Sequence, residues 1–507
     1  MSSAQPSPGA RPDLGLVWLR RDLRLHDHTA LQQALQACRR VQLVFVLDTG
    51  ILEPLLRQGI RGDRRVLFLH RTLHELDLEL RALGGALWVL HGRPAQVLPR
   101  LARQLEAQAV FTHRDYEPEA VRRDAEVAGE LAACGVDFQS WDDQVLMPPQ
   151  SLHTGQGRPY RVFTPYKKAW LARLRARGGE LLRERDCPLG PQCLLPASAD
   201  MPPIPGLDRL GFDQPVDLPP QVEPGSRGAR HAWRTFQPRL RDYAAQRDVP
   251  ALQATSGLSV HLRFGTLSVR ELLRHAWPLL EQGDAGAESW VSELIWREFY
   301  AQVLYHHPQV AQGRCLRPEY EAIAWDEAPG LLQAWCAGRT GYPLVDAAMR
   351  ELLRSGRMHN RLRMVTGSFL CKDLGLDWRL GEAHFARWLL DFDLASNNGG
   401  WQWVSSSGCD AQPWFRIFNP VEQSRRFDPD GSYIRSQLPE LARLDARWIH
   451  APWLAPSQQL GEAGVRLGEE YPLPVVDHAQ ARRRTLQRYA VVRGDLPAPA
   501  QHDLFDA

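Results

Sequence analysis

Five short apolar runs, separated by amphipathic segments, constrain the N-terminal part of the chain more than any other feature. Each run is four to eight residues long and rich in Val, Leu, Phe and Trp, as in strands buried on both faces. Segments with helical periodicity, such as 64–83 and 94–107, lie between them. This alternation predicts a parallel sheet covered by helices on both faces. The predicted strands are 16–19, 41–48, 86–92, 109–115 and 136–141.

The turn after the first predicted strand distinguishes this sheet from a typical dinucleotide-binding domain. It reads "RRDLRLHD" (20–27) and lacks the glycine fingerprint that lets a backbone approach a pyrophosphate. We therefore expect a Rossmann-like five-stranded α/β domain without a dinucleotide site at this turn.

The composition and periodicity of the sequence change twice after this domain. Prolines are dense between 148 and 227, with one short helical piece at 165–177, and this density predicts a long linker. Helical patterns dominate afterwards. We predict a disordered N-terminus (1–13), an α/β domain (14–147), the linker (148–227), an all-α domain (228–490) and a disordered tail (491–507). The predicted helices of the second half are 229–246, 269–280, 289–306, 329–337, 342–355, 359–374 and 382–390.

Composition excludes several classes of protein. The formal net charge is only +2, so the whole-chain charge does not indicate a nucleic-acid partner. The eight cysteines form no CxxC pair or Cys/His cluster, so we expect neither a metal site nor a disulfide framework. We find neither a secretory signal pattern nor a membrane-length apolar run, and we expect a cytoplasmic protein that does not bind membranes.

One predicted helix carries an unusual face. In "WVSELIWREFY", Trp290, Glu293, Arg297 and Tyr300 recur at helical spacing. An indole, a carboxylate and a guanidinium on one face suit the lining of a pocket. A salt-bridged, half-exposed helix explains the same pattern.

Two further motifs suit phosphate groups. "TSGLSVHLRFGTLS" (255–268) places hydroxyls and glycines before a helix, where backbone amides favour anions, although a capped helix start looks the same. "RSGRMHNRLRM" (354–364) contains four arginines, whose planar guanidinium groups match phosphates. A solvated helix face is the alternative.

The stretch "LLDFDLASNNGGWQW" (389–403) packs carboxylates, amides, glycines and indoles together. Asp391 and Asp393 can accept hydrogen bonds from a planar heterocycle, and the glycines permit close approach of a backbone. A helix cap followed by a turn is the simpler interpretation.

Taken together, these motifs resemble the photolyase/cryptochrome family, and most closely its class I cyclobutane pyrimidine dimer DNA photolyases. The resemblance covers residues 14 to about 441. The motifs that carry it are "LVWLRRDLRLHDHTAL", "TSGLSVHLRFGTLS", "ELIWREFY", "GYPLVDAAMREL", "MHNRLRMVTGSFLCKDLGLDW" and "NNGGWQWVSSSGCDAQPWFRIFNP".

The resemblance implies one FAD, bent into a U shape, in the helical domain. Arg363 and Asp391 would pair beside its ring system, Asp393 would bond the polar edge of the ring, and Asn397 would face flavin N5. The full set of implied cofactor residues is Tyr243, Thr255, Ser256, Gly257, Leu258, Ser259, Trp290, Glu293, Arg297, Arg363, Asp391, Asp393 and Asn397.

The reaction that the resemblance implies is light-driven repair of UV-damaged DNA, single- or double-stranded, by a monomer. Reduced FAD (FADH-) passes an electron to a flipped-out dimer, two bonds break, and the electron returns. Glu293, Asn397 and Met364 would be catalytic, and Trp325, Trp378 and Trp401 would carry electrons to the flavin. The implied DNA contacts are Arg247, Trp296, Asn360, Arg361, Trp403, Arg416 and Gln423.

Departures from the family pattern limit what carries over. Gly257 stands where the family has an arginine. The stretch 306–315 lacks the lysine with which folate-binding members hold their antenna, which argues against a folate. A deazaflavin, another flavin or no second chromophore are the remaining possibilities, with Glu117 as the one antenna contact.

Two other functions fit the same family. A cryptochrome photosensor would use the same flavin and tryptophans, although signalling members often have longer C-terminal extensions. A photolyase for (6-4) photoproducts would place histidines in the substrate pocket, and His359 is the lone candidate in the "MHNRLRM" motif.

Overall fold

The computed structural model describes residues 11–198, 201–411 and 413–495, and it contains the predicted parallel sheet. Its five strands are parallel, in the order β3-β2-β1-β4-β5. Both faces are apolar and covered by helices, which confirms the predicted α/β architecture. The elements are β1 (Leu14–Leu19), α1 (Thr29–Ala37), β2 (Arg40–Asp48), α2 (Thr49–Arg57), α3 (Arg64–Ala82), β3 (Leu87–Gly92), α4 (Pro94–Gln104), β4 (Ala109–His113), α5 (Pro118–Ala133) and β5 (Asp137–Trp141).

The second half is helical, as expected. Its α-helices are α6 (Phe163–Leu181), α7 (Gly225–Phe236), α8 (Tyr243–Gln246), α9 (Ser259–Phe264), α10 (Val269–Glu281), α11 (Ala285–His306), α12 (Pro329–Cys336), α13 (Pro343–Ser355), α14 (Asn360–Ser368), α15 (Trp378–Trp388), α16 (Leu394–Val404), α17 (Pro420–Phe427), α18 (Ser432–Gln437), α19 (Ala446–Ile449), α20 (Ser457–Ala463) and α21 (His478–Arg488). The 3-10 segments are Gln237–Asp242, Pro250–Leu252, Pro308–Gln312, Pro318–Ala322, Pro439–Leu441, Pro452–Leu454 and Tyr489–Asp495, and Phe369–Asp373 is a π-helix.

Four predicted helices differ clearly from those in the structure, and one of them, predicted at 289–306, is α11, which begins at Ala285. The segment 229–246 is broken at Gln237, where Pro238 cannot supply a backbone N–H and a 3-10 turn intervenes. The segment 359–374 divides into α14 and the π-helix. The segment 382–390 belongs to α15, which begins earlier because the Asp377 side chain caps it through the backbone N–H of Arg379.

The largest correction concerns α16, which is missing from the predicted helices and for which a cap followed by a turn is one of two interpretations. Asp393 does cap a helix, through the backbone N–H of Ser396, but the helix continues through "NNGGWQW" to Val404. Two glycines and two asparagines disfavour a helix by propensity. Burial of Ala395, Trp401 and Val404 against neighbouring helices overrides that preference.

The linker is more ordered than its prolines indicate. The helix predicted at 165–177 extends over Phe163–Leu181 and buries Trp170. Glu298 of α11 accepts hydrogen bonds from the Trp170 indole (2.6 Å) and from the backbone N–H of Leu146 (2.5 Å). The helix of the linker therefore packs into the helical half, whereas residues such as Leu194 and Phe212 pack against the sheet, and the domain boundaries remain predictions.

The chain ends are only partly described. Residues 11–13, expected within a disordered N-terminus, are attached to the sheet: the Pro12 carbonyl accepts from the Arg39 backbone and Asp13 pairs with Arg40. Residues 1–10 and 496–507 lie outside the described part of the chain. No helix within that part combines the length and apolar character needed to cross a bilayer.

Candidate active site

A cavity of about 1680 Å³ opens in the helical half of the molecule. This volume exceeds the roughly 300–1,000 Å³ of a typical small-molecule site, so it offers room for more than one ligand group. Every residue expected to bind the cofactor, to act in catalysis or to contact DNA lines it, and so does Trp401. Trp325 and Trp378 do not line it. Residues as distant in sequence as Tyr243 and Gln423 are therefore brought into one space.

Helix α11 contributes one wall and explains its mixed composition. Trp290, Glu293 and Arg297 face the cavity, whereas Glu298 does not line it and accepts from Trp170 of the linker. Glu293 is half-buried and forms an ion pair with Arg247 (2.8 Å). Arg247 also donates to the Ser289 hydroxyl (3.0 Å), so two groups of α11 orient it.

The loop before α9 forms a second wall with unfilled space. Gly257 has φ of +66°, and no heavy atom of the described residues lies within 4 Å of the position that a Cβ would take. The Ser256 hydroxyl accepts from the backbone N–H of Leu258 (3.4 Å). Tyr243 closes this end, and burial raises the pKa of its phenol, so the hydroxyl stays protonated. This wall offers hydroxyls and bare backbone to a polar ligand.

A third wall carries the charged groups of the 389–403 motif. Nη2 of Arg363 donates to both carboxylate oxygens of Asp391, at 3.0 and 2.8 Å. One Asp393 oxygen accepts from the Ser396 backbone and the other from Arg21. Burial opposes ionisation of Asp393, but Arg21, Arg263 and Arg297 outweigh it and hold its pKa well below the usual range. Both aspartates are therefore engaged before any ligand arrives.

The two asparagines of α16 have different tasks, which their adjacency in sequence conceals. Asn397 lines the cavity, and its Nδ2 donates to the backbone carbonyl of Glu382 (3.1 Å). Its Oδ1 can therefore accept a hydrogen bond from a ligand donor. Asn398 points into the protein, where it bonds the Val310 carbonyl, the Glu382 carboxylate and the Gln402 amide.

Aromatic groups line the part of the cavity expected to receive substrate. Trp296 stacks on Phe163, with ring centroids 3.6 Å apart and planes 5° apart. Trp403 and Met364 are half-buried in the same wall. Arg361 is paired with Asp248 (2.7 Å), which orients its side chain, and the preceding residue, Asn360, lines the same cavity. Arg416 and Gln423 complete the lining. Bases that have left a duplex need aromatic side chains in fixed positions on which to stack.

The three tryptophans expected to carry electrons differ in burial. Trp401 lines the cavity at 3% exposure, Trp378 is fully buried, and Trp325 is half-buried. All three contribute to the same hydrophobic cluster. Their burial is compatible with a route between cavity and surface.

Protein-family models match both halves of the chain. The model described as "DNA photolyase" matches residues 15–188, and "FAD binding domain of DNA photolyase" matches residues 290–491. Deoxyribodipyrimidine photo-lyases from Escherichia coli (40% identity, 94% of this chain and 98% of the relative) and Vibrio cholerae (38%, 94% and 100%) align over nearly their full lengths. The chain belongs to the DNA photolyase family.

Solved structures of photolyases and of a cryptochrome share the fold. A bacterial class III photolyase from Agrobacterium tumefaciens superposes with a TM-score of 0.83 (36% identity, 97% of this chain, 100% of the other). A cryptochrome from Synechocystis gives 0.83 (30%, 94% and 99%). An archaeal photolyase from Sulfolobus tokodaii, solved with two FAD molecules, gives 0.76 (30%, 94% and 99%).

The residues of this photolyase-family cavity fit FAD. Space is left at Gly257 and also at Gly400, where no heavy atom of the described chain lies within 4 Å of a hypothetical Cβ. The Asn397 carbonyl is available as an acceptor, and the buried Nε1 of Trp401 has no hydrogen-bond partner among the residues that the structure describes. The cavity thus has openings and polar atoms that a flat, polar-edged cofactor would use.

Several wall residues were missed by sequence reasoning. Phe163 belongs to the predicted linker, and Arg263, whose Nε donates to the Phe392 carbonyl (2.5 Å), lies in a motif interpreted only through its hydroxyls. Arg21 reaches Asp393 from the other domain. No local pattern marks these residues, because each acts through a partner far away in sequence.

A second cluster resembles a metal site but is better explained as a charge network. Asp22, His28 and His113 lie together and buried in the α/β domain. Nδ1 of His28 accepts from the Leu31 backbone, and Nε2 of His113 accepts from the Ala30 backbone. The ring nitrogens that face Asp22 therefore carry the protons, which metal-ligand nitrogens do not: Nδ1 of His113 donates to Asp22 (2.6 Å), and Nε2 of His28 lies 3.3 Å from it.

Proposed function

We propose that this protein repairs cyclobutane pyrimidine dimers in DNA with light absorbed by bound FAD in its reduced form, FADH-. One observation carries the proposal. A single cavity is lined by residues expected to bind the flavin (Arg363, Asp391, Asn397) and by aromatic and acidic residues expected to contact the dimer (Glu293, Trp296, Trp403). Because every one of these residues comes from one chain, a monomer is sufficient.

When bound and reduced, FAD supplies light absorption and an electron that returns after the two ring bonds of the dimer have broken. In the proposal, Oδ1 of Asn397 accepts a hydrogen bond at flavin N5, because its Nδ2 is already used on the Glu382 carbonyl. The Arg363–Asp391 pair would lie beside the ring system. A fixed guanidinium there favours negative charge on the cofactor.

Glu293 is the proposed catalytic contact to the dimer. Its ion pair with Arg247 holds the carboxylate at the cavity wall, so its position is set before substrate enters. The Glu293 carboxylate would accept a hydrogen bond from an imide N–H at the base edge, and the Arg247 guanidinium beside it would favour negative charge as the dimer accepts an electron. Met364 packs in the same wall.

The substrate must leave the duplex to reach this site, because a dimer stacked within DNA cannot touch groups inside a cavity. Base extrusion of this kind is characteristic of photolyases, and it requires surfaces on which the extruded bases stack. Trp296, stacked on Phe163, and Trp403 are the proposed surfaces. Arg247, Arg361, Asn360, Arg416 and Gln423 are proposed to hold the strand at the mouth, where the negative backbone favours cations.

Trp401, Trp378 and Trp325 are proposed to carry electrons that reduce the cofactor in light. Trp401 lines the cavity and Trp325 is the least buried of the three, which supports transfer between the surface and the cofactor. A second chromophore in the α/β domain is a further proposal, supported by the Sulfolobus photolyase, whose two FAD molecules were taken to imply "a novel light-harvesting cofactor". Glu117 remains the predicted contact, with Oε1 already bonded to Arg21 (2.9 Å).

The two alternatives are less well supported. A (6-4) photolyase would need a histidine in the pocket that can donate a proton. Nδ1 of His359 is used to cap α14 through the Arg361 backbone, and burial lowers its pKa to about 4, so the ring is neutral. A cryptochrome function shares the fold and the flavin site, and repair activity separates the two.

The deciding experiment is repair of UV-damaged oligo(dT) by reduced protein under blue light, followed as recovery of thymine absorbance. We expect full repair by the parent, several-fold slower repair by Glu293→Ala with FAD retained, and unchanged repair by Glu281→Ala, an exposed control. Dimers that persist after prolonged illumination would overturn the proposed function. Absorption and mass spectrometry of released chromophores would identify any second one.

A further inference from the structure

An arginine of the α/β domain reaches the wall of the cavity in the helical domain. Arg21 follows β1, and its Nη1 donates to Glu117 (2.9 Å) and lies 3.6 Å from Asp115. Both carboxylates follow β4, the strand that pairs with β1. The Nη2 of the same guanidinium donates to Asp393 of the helical domain. One side chain therefore ties the carboxyl edge of the sheet to the start of α16.

The backbone around Arg21 is held by close contact between the domains. Gly265 has φ of +66°, and a Cβ there would lie 1.9 Å from the Arg21 carbonyl oxygen, so only glycine permits this approach. The neighbouring Leu23 backbone donates to the Phe264 carbonyl (3.1 Å). The backbone of Arg21 is therefore held in place, and its guanidinium reaches Asp393 from a defined position.

Charges around Arg21 balance almost completely. Three guanidinium groups (Arg21, Arg263, Arg297) meet three carboxylates (Asp115, Glu117, Asp393). A cavity of about 20 Å³ between some of these groups has room for a single water molecule. Arg21 exerts the strongest of the attractions that keep Asp393 ionised, whereas burial and Asp115 raise the pKa of Glu117. Removal of one member leaves an uncompensated charge in a poorly solvated place.

Asp393 connects this cluster of charges to α16. It caps α16, which places Asn397 and Trp401 in the cavity. We propose that Arg21 is a positioning residue that holds Asp393 and the start of α16, and thereby sets FAD affinity and the ease of FAD reduction. The inference rests on the proposed function for its ligand, but it concerns a residue outside the site's own domain.

The test uses full-length Arg21→Gln, Arg21→Lys and Glu117→Gln, with Arg114→Gln as the control because Arg114 pairs with Asp142 on the surface of the same domain. Apoprotein is titrated with FAD by flavin fluorescence, and the midpoint potential of bound flavin is measured by spectroelectrochemistry. Melting temperatures establish that each variant is folded. Negative charge near a flavin disfavours its reduction to an anion.

We expect Arg21→Gln to weaken FAD affinity at least about tenfold and to lower the midpoint potential. Arg21→Lys should recover most of the potential, Glu117→Gln should raise it, and Arg114→Gln should change neither quantity. Unchanged affinity and potential in folded Arg21→Gln would overturn the inference, as would shifts of the same sign in Arg21→Gln and Glu117→Gln. Failure of the parent to bind FAD would instead contradict the proposed function.

Discussion

The domain interface and the cavity wall both bury charged side chains, but they arrange them differently. At the interface, Asp27 and Asp143 are almost inaccessible and both pair with Arg270. In the cavity, the Glu293–Arg247 and Arg363–Asp391 pairs remain partly open toward empty space. Complete pairing holds two domains together, whereas incomplete pairing leaves atoms to bind a ligand. Substitutions should therefore separate stability from binding.

The largest expected effect is at the interface. Arg270→Ala removes an arginine shared by two buried carboxylates, of which Asp27 keeps Arg274 and Asp143 keeps Arg24, and should lower the free energy of unfolding by about 3 kcal/mol. Arg363→Ala, in the cavity, should cost only about 1 kcal/mol while releasing FAD. Urea unfolding of both apoproteins measures the difference. Equal destabilisation by the two substitutions would show that buried charges at the interface and in the cavity wall contribute alike to stability.

Two adjacent glycines on α16 should separate an effect on stability from an effect on FAD binding. A Cβ at Gly399 would lie 2.1 Å from the Tyr300 ring, so Gly399→Ala should destabilise the fold by about 1–3 kcal/mol through overpacking. A Cβ at Gly400 meets no described atom within 4 Å, so Gly400→Ala should keep the fold and weaken FAD binding. Thermal unfolding and FAD titration distinguish them. Loss of stability in Gly400→Ala would contradict this assignment.

Acid should weaken both regions through buried neutral histidines. Burial lowers the pKa of His28 and of His359 to about 4 from 6.5, so the unfolded chain binds protons that the folded chain does not. Stability should thus be complete above about pH 6.5 and fall as pH drops toward 4.

His28→Asn should preserve the cap of α1 and reduce the slope of stability against pH by up to about 1.4 kcal/mol per pH unit. His359→Asn should reduce it less, because His359 is only partly buried. Urea unfolding at a series of pH values measures both slopes. A steeper slope in either variant would refute this account.

The smallest expected effect concerns the mouth of the cavity. Arg416→Gln should weaken DNA binding by about 1 kcal/mol, with the salt dependence (log K against log salt) reduced by about 0.9. Arg466→Gln, which breaks surface pairs with Glu469 and Glu470, is the control. Fluorescence anisotropy over a range of salt concentrations measures the slope, and an unchanged slope would remove Arg416 from the DNA surface.

Sequence reasoning succeeded for features that repeat or are local. The strand pattern predicted the sheet, and the helical spacing of Trp290, Glu293 and Arg297 predicted a lining face, which α11 has. It failed at α16, because low propensity outweighed a burial pattern too short to recognise. It also treated "TSGLSVHLRFGTLS" without regard to Arg263, whose neighbours come from elsewhere in the chain.

By itself, the sequence determined the two kinds of domain, their order, and the motifs whose residues line one cavity. Tertiary structure alone decided which of two like residues faces that cavity: Asn397 rather than Asn398, and Glu293 rather than Glu298. It also decided that Arg21 bonds Asp393 across 372 positions. The physical reason is that periodicity records burial along one element, whereas orientation and charge pairing depend on which other elements pack against it.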